Sequence, residues 1–200
     1  YTVEHESFLE GFDFTMKDGA NGAYQIRISV RELVEFVLNS GDIDNRRTAG
    51  AKKEAMQEGS RLHRKIQKQM GAGYQAEVTM RHVVQEECFC ILVEGRADGV
   101  LSEPGGFVID EIKCVYMDIS RLEEPVKVHM AQAMCYGYFW CTEKDLEGIG
   151  VQITYCSMET EEIRRFRKEY SFEELKERIE KDKEFANAYY ENHPEMIAQG

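Results

Sequence analysis

The sequence lacks any apolar run approaching the roughly 20 residues that a membrane-spanning helix needs, and no signal peptide opens it. Its six cysteines, at 88, 90, 114, 135, 141 and 156, form no CxxC pair and no regular framework, which leaves neither a zinc knuckle nor a disulfide scaffold to read. Four of them lie in apolar segments, where cysteine behaves as a small buried hydrophobe; a reduced cytoplasmic protein is the plain reading. Low-complexity tracts and internal repeats are missing too. So is an excess of positive charge: 25 Lys and Arg stand against 37 Asp and Glu, a formal charge of −12, which argues against a general nucleic-acid binder.

What is present suits one α/β domain, or one domain with a short appendage, in 200 residues. With 42% hydrophobic and 31% charged residues, the chain can bury an ordinary core and keep a wet surface. It opens on Tyr1 and not on Met, as a fragment of something longer would. One stretch runs against the acidic balance. Arg46, Arg47, Lys52, Lys53, Arg61, Arg64, Lys65 and Lys68 outnumber Asp42, Asp44, Glu54 and Glu58. Such a run is either a solvated helix face or a local patch for phosphate.

Residues 1–25 have weak periodicity, with a Gly/Asn/Asp-rich loop at 17–22. Ser29 and Glu32 form a capping box that opens an apolar helix through Leu33, Val34, Val37 and Leu38, ended by Gly41. A second helix spans about 49–70. Met56, Gly59, His63, Ile66 and Met70 recur at steps of three and four, so they share a face that should point inward, with Gly59 leaving room for close approach. Strands follow around Val78 to Val84 and from Phe89 through Val93 into Gly95-Arg96-Ala97-Asp98-Gly99-Val100. After the turn Pro104-Gly105-Gly106 comes a third strand, 107–115. A polar loop ends at Pro125, an apolar helix covers about 126–141, and Val151, Ile153 and Tyr155 mark a fourth strand. A polar strand at 163–169 is the fifth candidate. Ser171 and Glu174 cap a charged C-terminal helix. The order implies a central sheet with a helix crossing between the third and fourth strands.

Chemistry concentrates in Val108-Ile109-Asp110-Glu111-Ile112-Lys113. Glu111 and Lys113, two apart on a strand, project from one face. An acid and a lysine in so apolar a segment need a reason, since burying unpaired charge is expensive. That reason is either a salt bridge at a sheet edge or a site. The spacing alone decides nothing, because Glu174-Leu175-Lys176 repeats it on a charged helix. Asp98 supplies context: a hairpin brings it alongside the third strand, where it is either a turn aspartate capping its own backbone or a partner for Glu111. Two hard carboxylates, with a backbone carbonyl such as that of Ile112, would suit Mg²⁺ or Mn²⁺. His63 is either a hydrogen-bonded core residue or a neutral imidazole ligand that tilts preference toward Mn²⁺. Gln132 and Tyr136, at i and i+4 on the following helix, could hold the lysine or a phosphate, or form a half-buried polar pair.

Gly59…His63, Gly95-x-x-Asp98, Glu111-x-Lys113 and Gln132-x-x-x-Tyr136, in that order, resemble the RecB-like exonuclease branch of the PD-(D/E)XK nucleases over about residues 29–160. The resemblance implies a restriction-endonuclease-like core, a mixed four- to five-stranded sheet flanked by helices. It also implies a boundary: an N-terminal extension, 1–28, before a nuclease domain, 29–200, whose strand and helix at 161–191 follow the core. His63, Asp98 and Glu111, with the carbonyl of Ile112, would then hold one or two Mg²⁺ or Mn²⁺ ions. Lys113 would orient or activate the attacking water, Gln132 and Tyr136 would steady the site and the DNA strand, and the basic stretch from Arg46 to Lys68 would grip the backbone. Glu77 sits where relatives often place a further acid. The segment 28–69 also looks like the start of bacterial DinG-type helicases carrying such a domain, although no Walker A sequence is present. Ala97-Asp98 replaces the proline-aspartate of the class name. With no cysteine before Cys88 or after Cys156, no iron–sulfur cluster is expected.

The expectation is therefore a Mg²⁺- or Mn²⁺-dependent DNA phosphodiesterase, cutting without regard to sequence and from an end, in DNA repair or recombination and tied to a helicase. Two rivals stand beside it. One is a nuclease-like domain that binds DNA or a protein and does not cut. The other is a structural adaptor that uses helix 171–191 and leaves Asp98, Glu111 and His63 far apart.

Overall fold

A computed structural model describes residues 24–38, 49–85 and 89–180. They form a mixed six-stranded sheet with helices on both faces. Strand β1 (Tyr24–Ser29) runs into helix α1 (Val30–Leu38), and α2 covers Ala49–Gln69. Strands β2 (Tyr74–Gln85), β3 (Phe89–Glu103) and β4 (Gly106–Val115) follow in meander. A 3₁₀ turn at Ile119–Arg121 leads to α3 (Lys127–Lys144), β5 (Gly148–Ser157) and β6 (Ile163–Ser171), and a last helix, α4, occupies 172–180. No helix among the described residues is long and apolar enough to cross a membrane.

Local chemistry sets the helix starts. At the end of β1, the Ser29 N–H and hydroxyl both donate to Glu32 Oε2 while the Glu32 N–H donates back to Ser29 Oγ, a reciprocal box that turns strand into helix. Ser171 and Glu174 do the same before α4. Helix α3 is apolar nearly all round, with Ala131, Ala133, Cys135, Tyr136, Phe139, Trp140 and Cys141 buried, because it lies across the sheet beneath α1 and α4. It joins β4 to β5, which pair in parallel. Parallel strands need such a crossover and are covered on both faces. Accordingly β5 is buried over almost its whole length, with Val151, Ile153 and Tyr155 in the larger core. On the opposite face Leu62 and Ile66 of α2 pack on Ile112 and Cys156.

The long strand β3 organises the sheet. One of its edges pairs with β2 along most of its length. The other is shared: β1 pairs in parallel with residues 89–94, and β4 pairs antiparallel with 99–103. Gly95-Arg96-Ala97-Asp98 spans the gap between those two partners.

Three sequence expectations change. The sheet has six strands, since residues 24–29 add β1 to its edge before the first helix; Tyr24-Gln25-Ile26-Arg27-Ile28-Ser29 alternates apolar and polar residues, a strand signal cut short by the helix cap at Ser29. Met56 is 65% exposed, so the inward face of α2 begins at Gly59. Gly59 itself is uncrowded, since a Cβ there would meet Cys114 Cβ at 3.9 Å, an ordinary contact. The end of the first helix at Gly41 lies outside the described residues.

Candidate active site

The gap in β3 frees backbone groups that a ladder would have paired, and side chains take them up. The Ile112 N–H, two residues beyond the end of the β3–β4 ladder at Asp110, donates to Asp98 Oδ2 at 2.7 Å. The Tyr136 hydroxyl, from α3, takes a hydrogen bond from the Arg96 N–H and another from Gln132. Gly95 makes room for it: a Cβ there would lie 2.6 Å from the Tyr136 hydroxyl oxygen. The Gly95-x-x-Asp98 spacing is thus the length of the gap, with the tyrosine seated at one end and the carboxylate at the other.

Helix α2 closes the site from one face. His63 Nε2 lies 2.8 Å from the Ile112 carbonyl oxygen, and its Nδ1 lies 3.6 Å from Asp98 Oδ1. One turn on, Gln67 Nε2 donates to both Glu77 Oε1 and the Asp98 carbonyl, each at 3.0 Å. Glu77 stands opposite Asp98 on β2 with a left-handed backbone, φ 58°, which for a non-glycine residue inside a strand costs on the order of 1 kcal/mol. That conformation aims its carboxylate at the site, where Arg96 pairs with it at 2.6 Å. Ligand atoms of His63, Glu77 and Asp98 lie within 4.8 Å of one another.

From the other face come Glu111 and Lys113. The Lys113 ammonium bridges Glu111 Oε1 at 2.8 Å and Gln132 Oε1 at 3.0 Å. The Glu111 side chain is 3% exposed, and its second oxygen, Oε2, is buried with no hydrogen-bond partner among the described residues. Burial pushes the Glu111 carboxyl well above the usual range, with the Lys113 charge opposing and Asp98 adding to the rise. Asp98 is raised as well, by burial first; the Ile112 N–H opposes, and the negative charges of Glu77 and Asp110 add to the rise. Buried carboxyls that repel one another, one with an idle oxygen, beside an imidazole and a peptide carbonyl, are a hard-cation donor set. The residues fit a divalent metal.

Each residue singled out by sequence can now be placed. His63, Asp98 and Ile112 meet directly. Glu111 joins Lys113, Gln132 and Tyr136 while feeling the charges of Asp98 and His63, and Glu77 adds a further carboxylate beside His63 and Asp98. Of the basic stretch, Arg46 and Arg47 lie outside the described residues, as do the side chains of Lys52 and Lys53. Arg61 pairs with Glu58 and Glu161, and Lys65 pairs with Glu161, an acid from the β5–β6 turn. Arg64 donates to the Ser60 carbonyl and, like Lys68, is exposed. Gln67 was missed, although it stands four residues from His63 on the same helix face.

No family model matches the chain, and no curated protein does. Among solved structures, the protein SSO0001 superposes with a TM-score of 0.51 at 16% identity, over 80% of this chain and 76% of that one. Two looser likenesses are an alkaline exonuclease (LHK-Exo) from Laribacter hongkongensis, with TM-score 0.48, 13% identity, 86% of this chain and 94% of that one, and a phage related exonuclease from Haemophilus somnus 129PT, with TM-score 0.45, 14% identity, 84% and 82%. At 16% identity the likeness to SSO0001 is one of fold alone.

Proposed function

We propose that the chain is a metal-dependent nuclease that hydrolyses DNA phosphodiesters from an end, its nuclease domain taking in β1 (Tyr24–Ser29), which pairs with β3, as well as residues 29–200. The observation that carries this is Glu111, which spends one carboxylate oxygen on Lys113 and keeps the other buried without a partner, next to Asp98 and His63. A salt bridge at a sheet edge needs no such arrangement.

His63, Asp98, Glu111 and the Ile112 carbonyl would hold Mg²⁺ or Mn²⁺, with Glu77 alongside. When bound, the ion supplies Lewis acidity and lowers the pKa of water. The chain's own residues do the rest. Lys113, fixed by Glu111 and Gln132, places a compact positive charge where the attacking water and the phosphoryl oxygens meet, and so opposes the negative charge that develops there. Gln132 also touches the Tyr136 hydroxyl, so that lysine, amide and phenol move as one unit. Arg64 and Lys68 would meet the DNA backbone, which positions the strand and reads no sequence. The likeness of segment 28–69 to the start of DinG-type helicases supports a helicase-linked role in repair or recombination.

The test is cleavage of end-labelled linear DNA against circular DNA, with Mg²⁺ and Mn²⁺ in turn. Linear DNA alone should be degraded, and Lys113→Ala should abolish the reaction. A Lys113→Ala protein that cuts as fast as the parent would falsify the reading and favour a non-cutting, nuclease-like binding domain.

A further inference from the structure

A histidine outside this machinery sits one helical turn before it. His129, Gln132 and Tyr136 occupy positions i, i+3 and i+7 of α3, so His129 shares the face that carries the lysine-holding pair. Its protonation can be worked out by accounting. Tyr155 is wholly buried, and its hydroxyl oxygen lies 3.0 Å from the Val126 N–H, which donates to it, and 2.9 Å from His129 Nδ1. If Nδ1 carried a hydrogen, that hydrogen would also have to point at the tyrosine oxygen. The Tyr155 O–H would then be left in the core without an acceptor, a loss buried hydroxyls avoid. The O–H therefore donates to Nδ1, and the single imidazole hydrogen is on Nε2. His129 is partly exposed, and its side-chain hydrogen bond among the described residues is the one at Nδ1.

The surroundings say what this donor would meet. Helix α1 packs against α3, bringing Arg31 near His129, and Lys113 approaches from β4. Both positive charges lower the imidazole's pKa, after burial. Arg31 also donates to Glu35 at 2.8 Å, and Lys113 to Glu111 and Gln132; a neutral N–H donor in the field of both cations is a setting for an anion, to which it adds a hydrogen bond without competing for those charges.

Resting on the nuclease reading, we infer that His129 Nε2–H, with Arg31 and Lys113, forms a phosphate-binding subsite beside the reaction centre, occupied by one phosphate of the nucleic-acid strand. That phosphate is either an internal phosphodiester or a terminal monoester.

The experiment titrates the full chain with a labelled single-stranded oligonucleotide, using Ca²⁺ in place of the catalytic ion. His129→Leu should raise Kd about tenfold, the scale of one hydrogen bond to a charged group, while His129→Gln, whose amide nitrogen reaches the Nε2 position, should stay within about twofold of the parent. Oligonucleotides with one neutral methylphosphonate linkage at successive positions, or with a terminal phosphate replaced by hydroxyl, locate the partner: the substitution that erases the difference between parent and His129→Leu marks the phosphate bound. Equal Kd values for parent and His129→Leu, or a deficit identical on every neutralised oligonucleotide, would overturn the proposal.

Imidazole nitrogen NMR keeps the two readings apart. The parent should show a neutral Nε2–H ring at His129 whose signal shifts on adding inorganic phosphate. An Nδ1–H ring, or no response to phosphate, removes the subsite even if the protein cuts DNA. A phosphate response in a protein that binds no oligonucleotide keeps a phosphate site but removes both its nucleic-acid occupant and the nuclease.

Discussion

Tyr74 crosses Gly99 to reach the far strand: its hydroxyl donates to Asp110 Oδ2 at 3.1 Å, and a Cβ on Gly99 would lie 1.9 Å from its ring. The Asp98-Gly99 pair thus has two separate reasons, a carboxylate at the opening of β3 and an empty position for the tyrosine from β2. Asp110 is wholly buried and also accepts from Gln152 Nε2 at 2.9 Å and Thr154 Oγ1 at 2.6 Å. Its charge is thereby satisfied by three donors, which is what a buried carboxylate requires. The strap ties β2, β3, β4 and β5 together directly beside Asp98 and Glu111.

Gly99→Ala must therefore displace Tyr74 and strip Asp110 of one donor. A loss of about 3 kcal/mol is expected from overpacking plus the broken hydrogen bond, measured by urea denaturation. Tyr74→Ala removes the obstacle, so the double variant should be much less destabilised than the sum of the two single changes. Simple additivity would show that the two residues do not meet.

Gln132 holds Lys113 without touching the carboxylates. Gln132→Leu keeps the side-chain length and removes the 3.0 Å acceptor, freeing the ammonium from one of its two partners. Cleavage should fall by about 10- to 100-fold, the usual cost of losing an orienting partner, with thermal stability nearly unchanged. A rate equal to the parent's would mean that Glu111 alone fixes the lysine.

How far the site was legible depended on whether one periodicity could carry it. Glu111 and Lys113 are two apart on a strand, Gln132 and Tyr136 four apart on a helix, and the two capping boxes three apart, so their faces followed from spacing. The meeting of His63 with Asp98 needed the β3 gap, which appears only once β1 and β4 divide one edge of the strand. Glu77 reaches the site through a left-handed backbone that no glutamate propensity announces. Arg61 and Lys65 read as free charge because their partner, Glu161, is about a hundred residues away in sequence. His129 carries no spacing that would mark it, and only the hydrogen bonds of Tyr155 give it a tautomer.

That histidine also sets a pH dependence. Burial, then the charges of Lys113 and Arg31, lower its pKa to about 4 from an ordinary 6.5. Between those values the unfolded chain binds a proton that the folded ring refuses, so stability is full above pH 6.5 and is lost as pH falls toward 4. The whole difference corresponds to roughly 3 kcal/mol, which the ring's partial exposure reduces to about 2 kcal/mol. Urea denaturation at pH 7 and pH 4.5 should show the parent losing about 2 kcal/mol more than His129→Gln. His82, also held neutral by burial, is common to both proteins and cancels. Identical losses in the two would mean that the imidazole is not held neutral by the fold.

A bound cation should act on stability as well as on rate. Asp98 and Glu111 are both buried and raised by that burial, so the metal-free fold carries unfavourable charge that Mg²⁺ or Mn²⁺ would relieve. Ion at a hundredfold excess over Kd should add about 2.7 kcal/mol, a rise in Tm of roughly 5–10 °C for a chain of this size. Asp98→Asn separates this effect from damage to the fold. The asparagine oxygen still accepts from the Ile112 N–H while the buried negative charge is gone, so in EDTA the variant should melt no lower than the parent. It should then gain little from Mn²⁺, and Glu111→Gln, which removes the charge beside the idle oxygen, should gain little too. A parent protein whose melting ignores both ions, or an Asp98→Asn variant that responds as the parent does, would show that these carboxylates hold no metal.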